Sequence, residues 1–341
     1  MTVLSVADDV MVLEMNPITQ RRVARALSAG GPEVIEVEVE EIAPLKPGEV
    51  LVRVEAAGLN HAETLIRSGN YAVRLPFPHA VGGEGSGTVV AAGPDAPLTV
   101  GARVCWGAIL GSCATFLTTQ SSMLAPIPEA LSFEDAASVA VAGLTAGGLA
   151  CVWPLEGRAA IVWGAAGAVG RMLVAILAAR GVDVIGIASG QRVDGVRTAG
   201  ANHVIDRNAQ NVSDAVREYT GGRGVAAVFD PIGAPTYETS LQLLAPRGCL
   251  INYGELSGAV PAINLHKLFP GSLFVTKYNG MRWVEGFHEF AGLIADALAL
   301  ASKRPAVISE VAGRFPLDRV ADAYRLLESA SHGKVLVLPN L

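Results

Sequence analysis

Gly164-Ala165-Ala166-Gly167-Ala168-Val169-Gly170 directly follows the apolar run Ala159-Ala160-Ile161-Val162-Trp163. An apolar segment over 171–180 comes next, so a short strand enters a glycine turn that opens a helix. Glycine at every third position lets the backbone turn sharply and approach a phosphate closely. The helix N-terminus adds free N–H groups and the positive end of its dipole. Plain helix packing also yields this spacing in Ala- and Gly-rich chains, but the strand before and the helix after favour a site. Gly164, Ala165, Gly167, Ala168, Val169 and Gly170 are therefore expected to hold a dinucleotide pyrophosphate.

Folds that prefer NAD place an acidic residue about twenty positions beyond such a loop, against the adenosine ribose. Here Ser189-Gly190-Gln191-Arg192 stands there instead, at the end of a strand expected over 182–189. Arg207, after the following strand, can converge on the same point. Ser189, Arg192 and Arg207 suit a 2′-phosphate, because guanidinium pairs with phosphate in a bidentate, charge-assisted way. The pattern predicts NADPH, with Asp194 nearby as the opposing feature and a plain surface role for both arginines as the alternative. Tyr253 ends a later strand with its backbone available to the cofactor, and Lys277, Tyr278 and Asn279 follow the last one. All lie at the carboxyl edge, where ligands gather in open α/β sheets.

Two textures position these residues. The first part reads as β-rich: 34–41 alternates apolar and charged residues, and strands are expected over 50–56, 88–93 and 100–104 between Gly/Pro turns. Such spacing suggests a compact barrel-like domain. From about Gly143 helix and strand alternate. Strands are expected at 204–206, 225–230, 249–253 and 273–277, with helices over 213–220 (capped by Ser213) and 236–244. This is the pattern of a doubly wound parallel sheet. A tail with helices over 283–302 and 317–329 and a strand over 335–338 returns to the first domain. The partition expected is 1–142 with 283–341, and 143–282.

At 341 residues the chain suits two domains, and 51% apolar content supplies their cores. A net charge of −6 without any basic run argues against nucleic acid or an anionic membrane surface as partner. Four scattered cysteines give neither a disulfide framework nor a zinc lobe, and fit free thiols in a reducing cytoplasm. No basic-then-apolar signal opens the chain. The uncharged stretch 136–155 has the length of a membrane span, but its glycines and proline favour a buried interdomain helix. A soluble, cytoplasmic protein is expected. The apolar edge near Leu273 suggests a homodimer by strand pairing across a two-fold axis.

The whole chain resembles the medium-chain dehydrogenase/reductase superfamily, most of all its zinc-free branch of quinone oxidoreductases and enoyl-thioester reductases. The motifs are Ala56-Ala57-Gly58-Leu59-Asn60, Ile66-Arg67-Ser68-Gly69-Asn70-Tyr71, Val81-Gly82-Gly83-Glu84-Gly85-Ser86-Gly87, Ala142-Gly143-Leu144-Thr145-Ala146, the glycine loop, and Gly333-Lys334-Val335-Leu336-Val337. The resemblance implies a Rossmann domain beside a GroES-like β-barrel catalytic domain. In zinc alcohol dehydrogenases a Cys, a His and a Cys stand where Asn60, Gly83 and Ala142 stand here. Catalytic zinc needs three such ligands around an open position, and His61, His79 and His266 share no ligand spacing that would replace them. No metal is expected.

Without a Lewis acid, the suitable acceptor is a quinone or another α,β-unsaturated carbonyl compound, which delocalises incoming hydride charge onto oxygen. By the resemblance, Asn60 lies near nicotinamide and substrate and its amide holds the substrate oxygen. Tyr71 donates a hydrogen bond or a proton there, Thr145 lies near the nicotinamide, and Lys334 reaches a cofactor or substrate phosphate. Ordinary turn, packing and surface roles remain open for each. Many relatives carry an aromatic residue two positions after the linker Thr, where Gly147 and Gly148 follow Ala146 here, so one pocket wall is missing or comes from elsewhere. Two other readings stay open: a 2-enoyl-thioester reductase, and an NADPH-binding redox sensor with little turnover.

Overall fold

The computed structural model describes residues 18–71, 74–283, 287–329 and 333–341. Strand Glu49–Gly58 is the hub of a seven-stranded sheet. It pairs antiparallel with Glu84–Ala92, Phe116–Gln120 and Lys334–Leu338. Val50, Val52 and Val54 point into a core with Trp106 and Tyr324, Leu51 is buried as well, and Arg53 is exposed between Val52 and Val54. A three-stranded layer, Ile35–Glu41, Gln20–Ala26 and His79–Ala80, covers that core.

Several strand boundaries differ from expectation: the strands expected over 88–93 and 249–253 begin earlier, as Glu84–Ala92 and Leu244–Asn252. Residues 32–34 make a 3₁₀ turn, so the first alternating strand begins at Ile35. The strand expected over 100–104 is Arg103–Gly107, because Gly101 (φ +91°) turns the chain and bonds its N–H to Val89 O at 2.8 Å.

The second sheet holds six parallel strands in the order His203–Asp206, Asp183–Ala188, Ala159–Val162, Val225–Asp230, Leu244–Asn252 and Phe274–Lys277. This is the doubly wound order of dinucleotide-binding folds, with its crevice where the order reverses beside Ala159–Val162. The helix expected over 213–220 is Val212–Thr220, capped by Asn211 and not Ser213. The Asn211 side chain accepts the Asp214 N–H at 3.1 Å, which leaves Ser213 inside the first turn. The helix expected over 236–244 is Tyr237–Gln242, since Leu244 already pairs with Val225.

Linker helix Phe133–Leu149 joins the two sheets. Ser132 opens it with a capping box: Asp135 N donates to Ser132 Oγ at 3.0 Å, and Ser132 N to Asp135 Oδ2 at 3.1 Å. The helix is largely buried and runs straight through the boundary drawn at 142/143. Tail helix Phe287–Lys303 packs on it. A Cβ on Gly143 would lie 2.2 Å from Ala297 Cβ, and one on Gly147 2.9 Å from Leu293 Cδ2, so these two glycines let the helices approach. Of the helix expected over 283–302, residues 284–286 lie outside the described residues. No helix among the described residues is long and apolar enough to cross a membrane.

Candidate active site

The glycine loop leaves the carboxyl end of Ala159–Val162, and the helix after it starts at Ala168, three residues earlier than the apolar pattern suggested. Gly164 takes φ +61°, which favours glycine. A Cβ on Gly170 would stand 2.3 Å from Gly164 O, so only glycine allows helix and loop to close together. Gly167 caps the helix and its carbonyl accepts from Arg171 N at 2.8 Å. Ala168, Val169 and Gly170 thus present N–H groups with no intrahelical acceptor, at the positive end of the dipole. Ala165 is buried, its N–H spent on Ile187 O at 3.1 Å, so it shapes the turn and does not donate to a ligand.

At the adenosine end, Arg192 Nη2 donates to Ser189 Oγ at 2.8 Å, and both residues follow strand Asp183–Ala188. The parallel register sets Asp206 beside Ala188, so the exposed Arg207 emerges next to Ser189. Asp194 is turned away into solvent, 2.8 Å from Arg197. The register also brings in a carboxylate that sequence reasoning missed. Asp206 Oδ1 accepts from the N–H groups of Asn208 and Gly190, each at 3.0 Å, and these bonds hold its carboxyl below the ordinary value. It anchors the turn that carries Arg192.

On the barrel side, two of the three positions of the absent zinc ligands, Asn60 and Gly83, bond to buried carboxylates. Asn60 caps helix His61–Arg67. Its Nδ2 donates to Glu84 Oε1 at 2.8 Å and to Glu63 Oε1 at 3.3 Å, and its Oδ1 accepts from Lys334 Nζ at 3.0 Å. Lys334 also forms a close ion pair with Glu84, which is fully buried and accepts the Val141 N–H at 2.6 Å. A Cβ on Gly58 would come within 2.7 Å of Lys334 Cε, so that glycine clears the path for the ammonium. Lys334 is therefore not a solvated lysine; its charge acts on Asn60 and Glu84.

Asn60 in turn has no amide hydrogen left for a substrate oxygen. This corrects its expected role as a donor.

Glu63 ties the surrounding segments together. It accepts from Asn60 N (3.1 Å), Gly82 N and Gly83 N (3.2 Å each) and Tyr324 Oη (2.5 Å). Burial pushes its carboxyl up, against the pull of Tyr324 and Asn60. Burial and the Lys334 charge hold the adjacent His61 imidazole low. Among the described residues, no three His, Cys, Asp or Glu side chains are grouped to hold a metal ion.

Around the crevice, buried Asp230 ends its strand and locks the following turn, accepting from Ile232 N at 2.7 Å and Thr236 Oγ at 2.7 Å. Buried Asn252 donates to Gly254 O at 2.9 Å and accepts from Lys277 Nζ at 2.7 Å. Lys277 also pairs with Glu255 at 2.7 Å, so it is neither lone nor free. Tyr253 spends its N–H on Asp230 O at 2.9 Å, which leaves only its carbonyl for a cofactor. An aspartate and an asparagine ending apolar strands were the missed signal for this layer.

Thr145 is half-buried on the linker helix, and its hydroxyl bonds no protein group among the described residues. Ser138 on the same helix does bond back, to Glu134 O at 2.8 Å. Tyr71 follows Gly69 (φ +73°) in the loop after His61–Arg67 and is 38% exposed, and its phenol too bonds no protein group among the described residues. Residues 72 and 73 lie outside the described residues.

Residues 46–161 match the alcohol dehydrogenase GroES-like domain family and 168–298 the zinc-binding dehydrogenase family. A Pseudomonas aeruginosa quinone oxidoreductase is 35% identical over 91% of this chain and 97% of its own. A 2-haloacrylate reductase from Burkholderia is 31% identical, again over 91% of this chain and 97% of its own. The Escherichia coli quinone oxidoreductase structure complexed with NADPH superposes with a TM-score of 0.82 at 30% identity, over 93% of this chain and all of that one. The chain belongs to the medium-chain dehydrogenase/reductase superfamily, in its quinone oxidoreductase branch.

Proposed function

We propose that this protein is an NADPH-dependent reductase of quinones or other α,β-unsaturated carbonyl compounds, acting without a metal ion in the cleft between 1–142 with 283–341 and 143–282. The observation that carries this reading is the Lys334–Glu84–Asn60 network, in which a buried, self-neutralised ion pair is bonded to Asn60, the residue at one of the three positions of the absent zinc ligands. A buried ion pair whose remaining hydrogen bonds are satisfied supports a site that works without a metal ion.

Gly164, Gly167, Ala168, Val169 and Gly170 would hold the pyrophosphate, and Ser189, Arg192 and Arg207 the 2′-phosphate. NADPH, when bound, supplies the hydride. Thr145 offers its unpaired hydroxyl beside the nicotinamide. Tyr71, with an unpaired phenol open to solvent, is the proposed hydrogen-bond and proton donor to the acceptor oxygen. Asn60 serves by keeping the Glu63 and Glu84 segments in place. A conjugated acceptor spreads the incoming charge onto that oxygen, so oriented donors suffice.

A homodimer across strand Phe274–Lys277 is part of the proposal. That strand is the outer edge of its sheet, and Phe269 and Phe274 beside it are exposed.

The test is NADPH oxidation with 1,4-benzoquinone and, separately, with a crotonyl thioester, before and after a metal chelator. Turnover of the quinone that the chelator leaves unchanged supports the reading, and loss on chelation ends the metal-free part of it. Turnover of the thioester alone would select the enoyl-thioester reductase. Tight NADPH binding with neither acceptor reduced would select the sensor.

A further inference from the structure

Gly148 is unlike the other two glycines of the linker helix. Gly143 and Gly147 face tail helix Phe287–Lys303, whereas a Cβ on Gly148 would lie 2.1 Å from Tyr278 Oη and 3.2 Å from its Cζ. No side chain at 148 is compatible with Tyr278 where it stands. The tyrosine comes from 130 positions later in the chain, on the loop that leaves the last strand of the parallel sheet. Its N–H bonds Asn252 O at 2.8 Å, which roots it at the carboxyl edge. Its ring packs against Trp283 with centroids 6.0 Å apart, and Gly280 gives it room, since a Cβ there would be 3.3 Å from Tyr278 Cε1.

Three features mark this ring as more than filler. Gly148 lies one turn beyond Thr145, so the position against which the ring stands shares a helix face with the unpaired threonine hydroxyl. The Tyr278 hydroxyl itself bonds no protein group among the described residues. Burial pushes the phenol up to about 12, so it stays protonated and can donate.

We propose that Tyr278 is a specificity-determining residue: reaching in from the sheet edge to the space left by Gly148, it forms the inner wall of the acceptor pocket and restricts it to small planar acceptors. This rests on the proposed reduction of conjugated acceptors. The wall's origin matters for how the pocket changes. A wall carried on Tyr278-Asn279 and the helical turn Gly280–Trp283 is set by residues 278–283, and substitutions there alter acceptor size without touching the cofactor loop.

The test compares 1,4-benzoquinone with the bulkier 9,10-phenanthrenequinone in wild type, Tyr278→Ala, and Tyr278→Ala/Gly148→Phe, which moves an aromatic ring from loop to helix. Tyr278→Ala is expected to shift the kcat/KM ratio toward the bulky quinone by about tenfold or more, and the double variant to shift it back. NADPH affinity should stay at the wild-type value throughout. Quenching of tryptophan fluorescence, with Trp283 as the neighbouring reporter, gives binding of phenanthrenequinone without turnover, and it should tighten in Tyr278→Ala. If wild type reduces neither quinone, the functional reading fails while the fluorescence titration still decides the wall. An unchanged acceptor ratio and unchanged quinone binding in Tyr278→Ala, with NADPH affinity intact, would overturn the inference.

Discussion

Lys334 Nζ stands 3.0 Å from Asn60 Oδ1, and that contact decides which way the Asn60 amide faces. An ammonium only donates and an ionised carboxylate only accepts. The amide oxygen must therefore point to Lys334 and the amide hydrogens to Glu84 and Glu63. One cation thus sets the orientation of a site residue 274 positions away in the sequence.

Replacing that cation should be costly. Lys334→Met leaves Glu84 fully buried without its counter-charge, a loss of about 3–5 kcal/mol for a broken buried pair. Lys334→Met/Glu84→Gln should recover a large part of it. Urea denaturation measures both, and a single variant as stable as wild type contradicts the buried pair.

At the adenosine end, Arg192→Ala and Arg207→Ala should each raise KM for NADPH about tenfold or more, as expected for a lost hydrogen bond to a charged group. KM for NADH, which lacks the 2′-phosphate, should barely move. Equal effects on the two cofactors would show that neither guanidinium reads that phosphate.

Glu63 makes a prediction for pH. Its carboxyl is raised from 4.5 by burial, so the folded state holds the proton more tightly than the unfolded chain does. The stability this contributes is fully present below 4.5 and is lost as pH rises through the folded value. Glu63→Gln cannot lose it. Whatever the variant sacrifices in hydrogen bonds, its stability relative to wild type should improve as pH rises from 4.5 toward neutrality. Urea midpoints across that range check the sign, and a difference that moves the other way rejects it.

The edge strand predicts an assembly. Phe274 is half exposed on the outermost strand of the parallel sheet, so Phe274→Lys should turn a dimer into a monomer. Light scattering after size exclusion reads the mass. A wild-type monomer at micromolar concentration removes the pairing altogether.

Much of the fold was written locally. Glycine spacing and a strand-to-helix switch located the strand, turn and helix at 159–179, and the turn at Pro47-Gly48-Glu49 located the barrel's hub strand. Local patterns erred where two residue types compete for one position, as Asn211 won the cap that Ser213 also suited. They were silent on contacts between remote segments. Nothing near Glu84 announces that a lysine 250 positions later will neutralise it, although a lone glutamate among glycines and a serine was a faint sign. Asp206 was missed because a neighbouring strand, not the glycine loop's own unit, delivers it to the turn that carries Arg192. Tyr278 was placed at the correct edge, but its reach into the hollow at Gly148 depends on tertiary packing alone.

Strand Lys334–Leu338 pairs with the hub strand Glu49–Gly58, and it brings Lys334 to Asn60. The six strands of the parallel sheet, by contrast, all lie within residues 159–277. As the chain leaves the ribosome, that sheet has every strand it needs while the barrel still waits for its closing one. Glu84 spends that interval without its lysine, in a pocket that has yet to shut. The charge that orients Asn60 thus arrives only after every strand of the parallel sheet has been made, and barrel closure and neutralisation of the site become the same event.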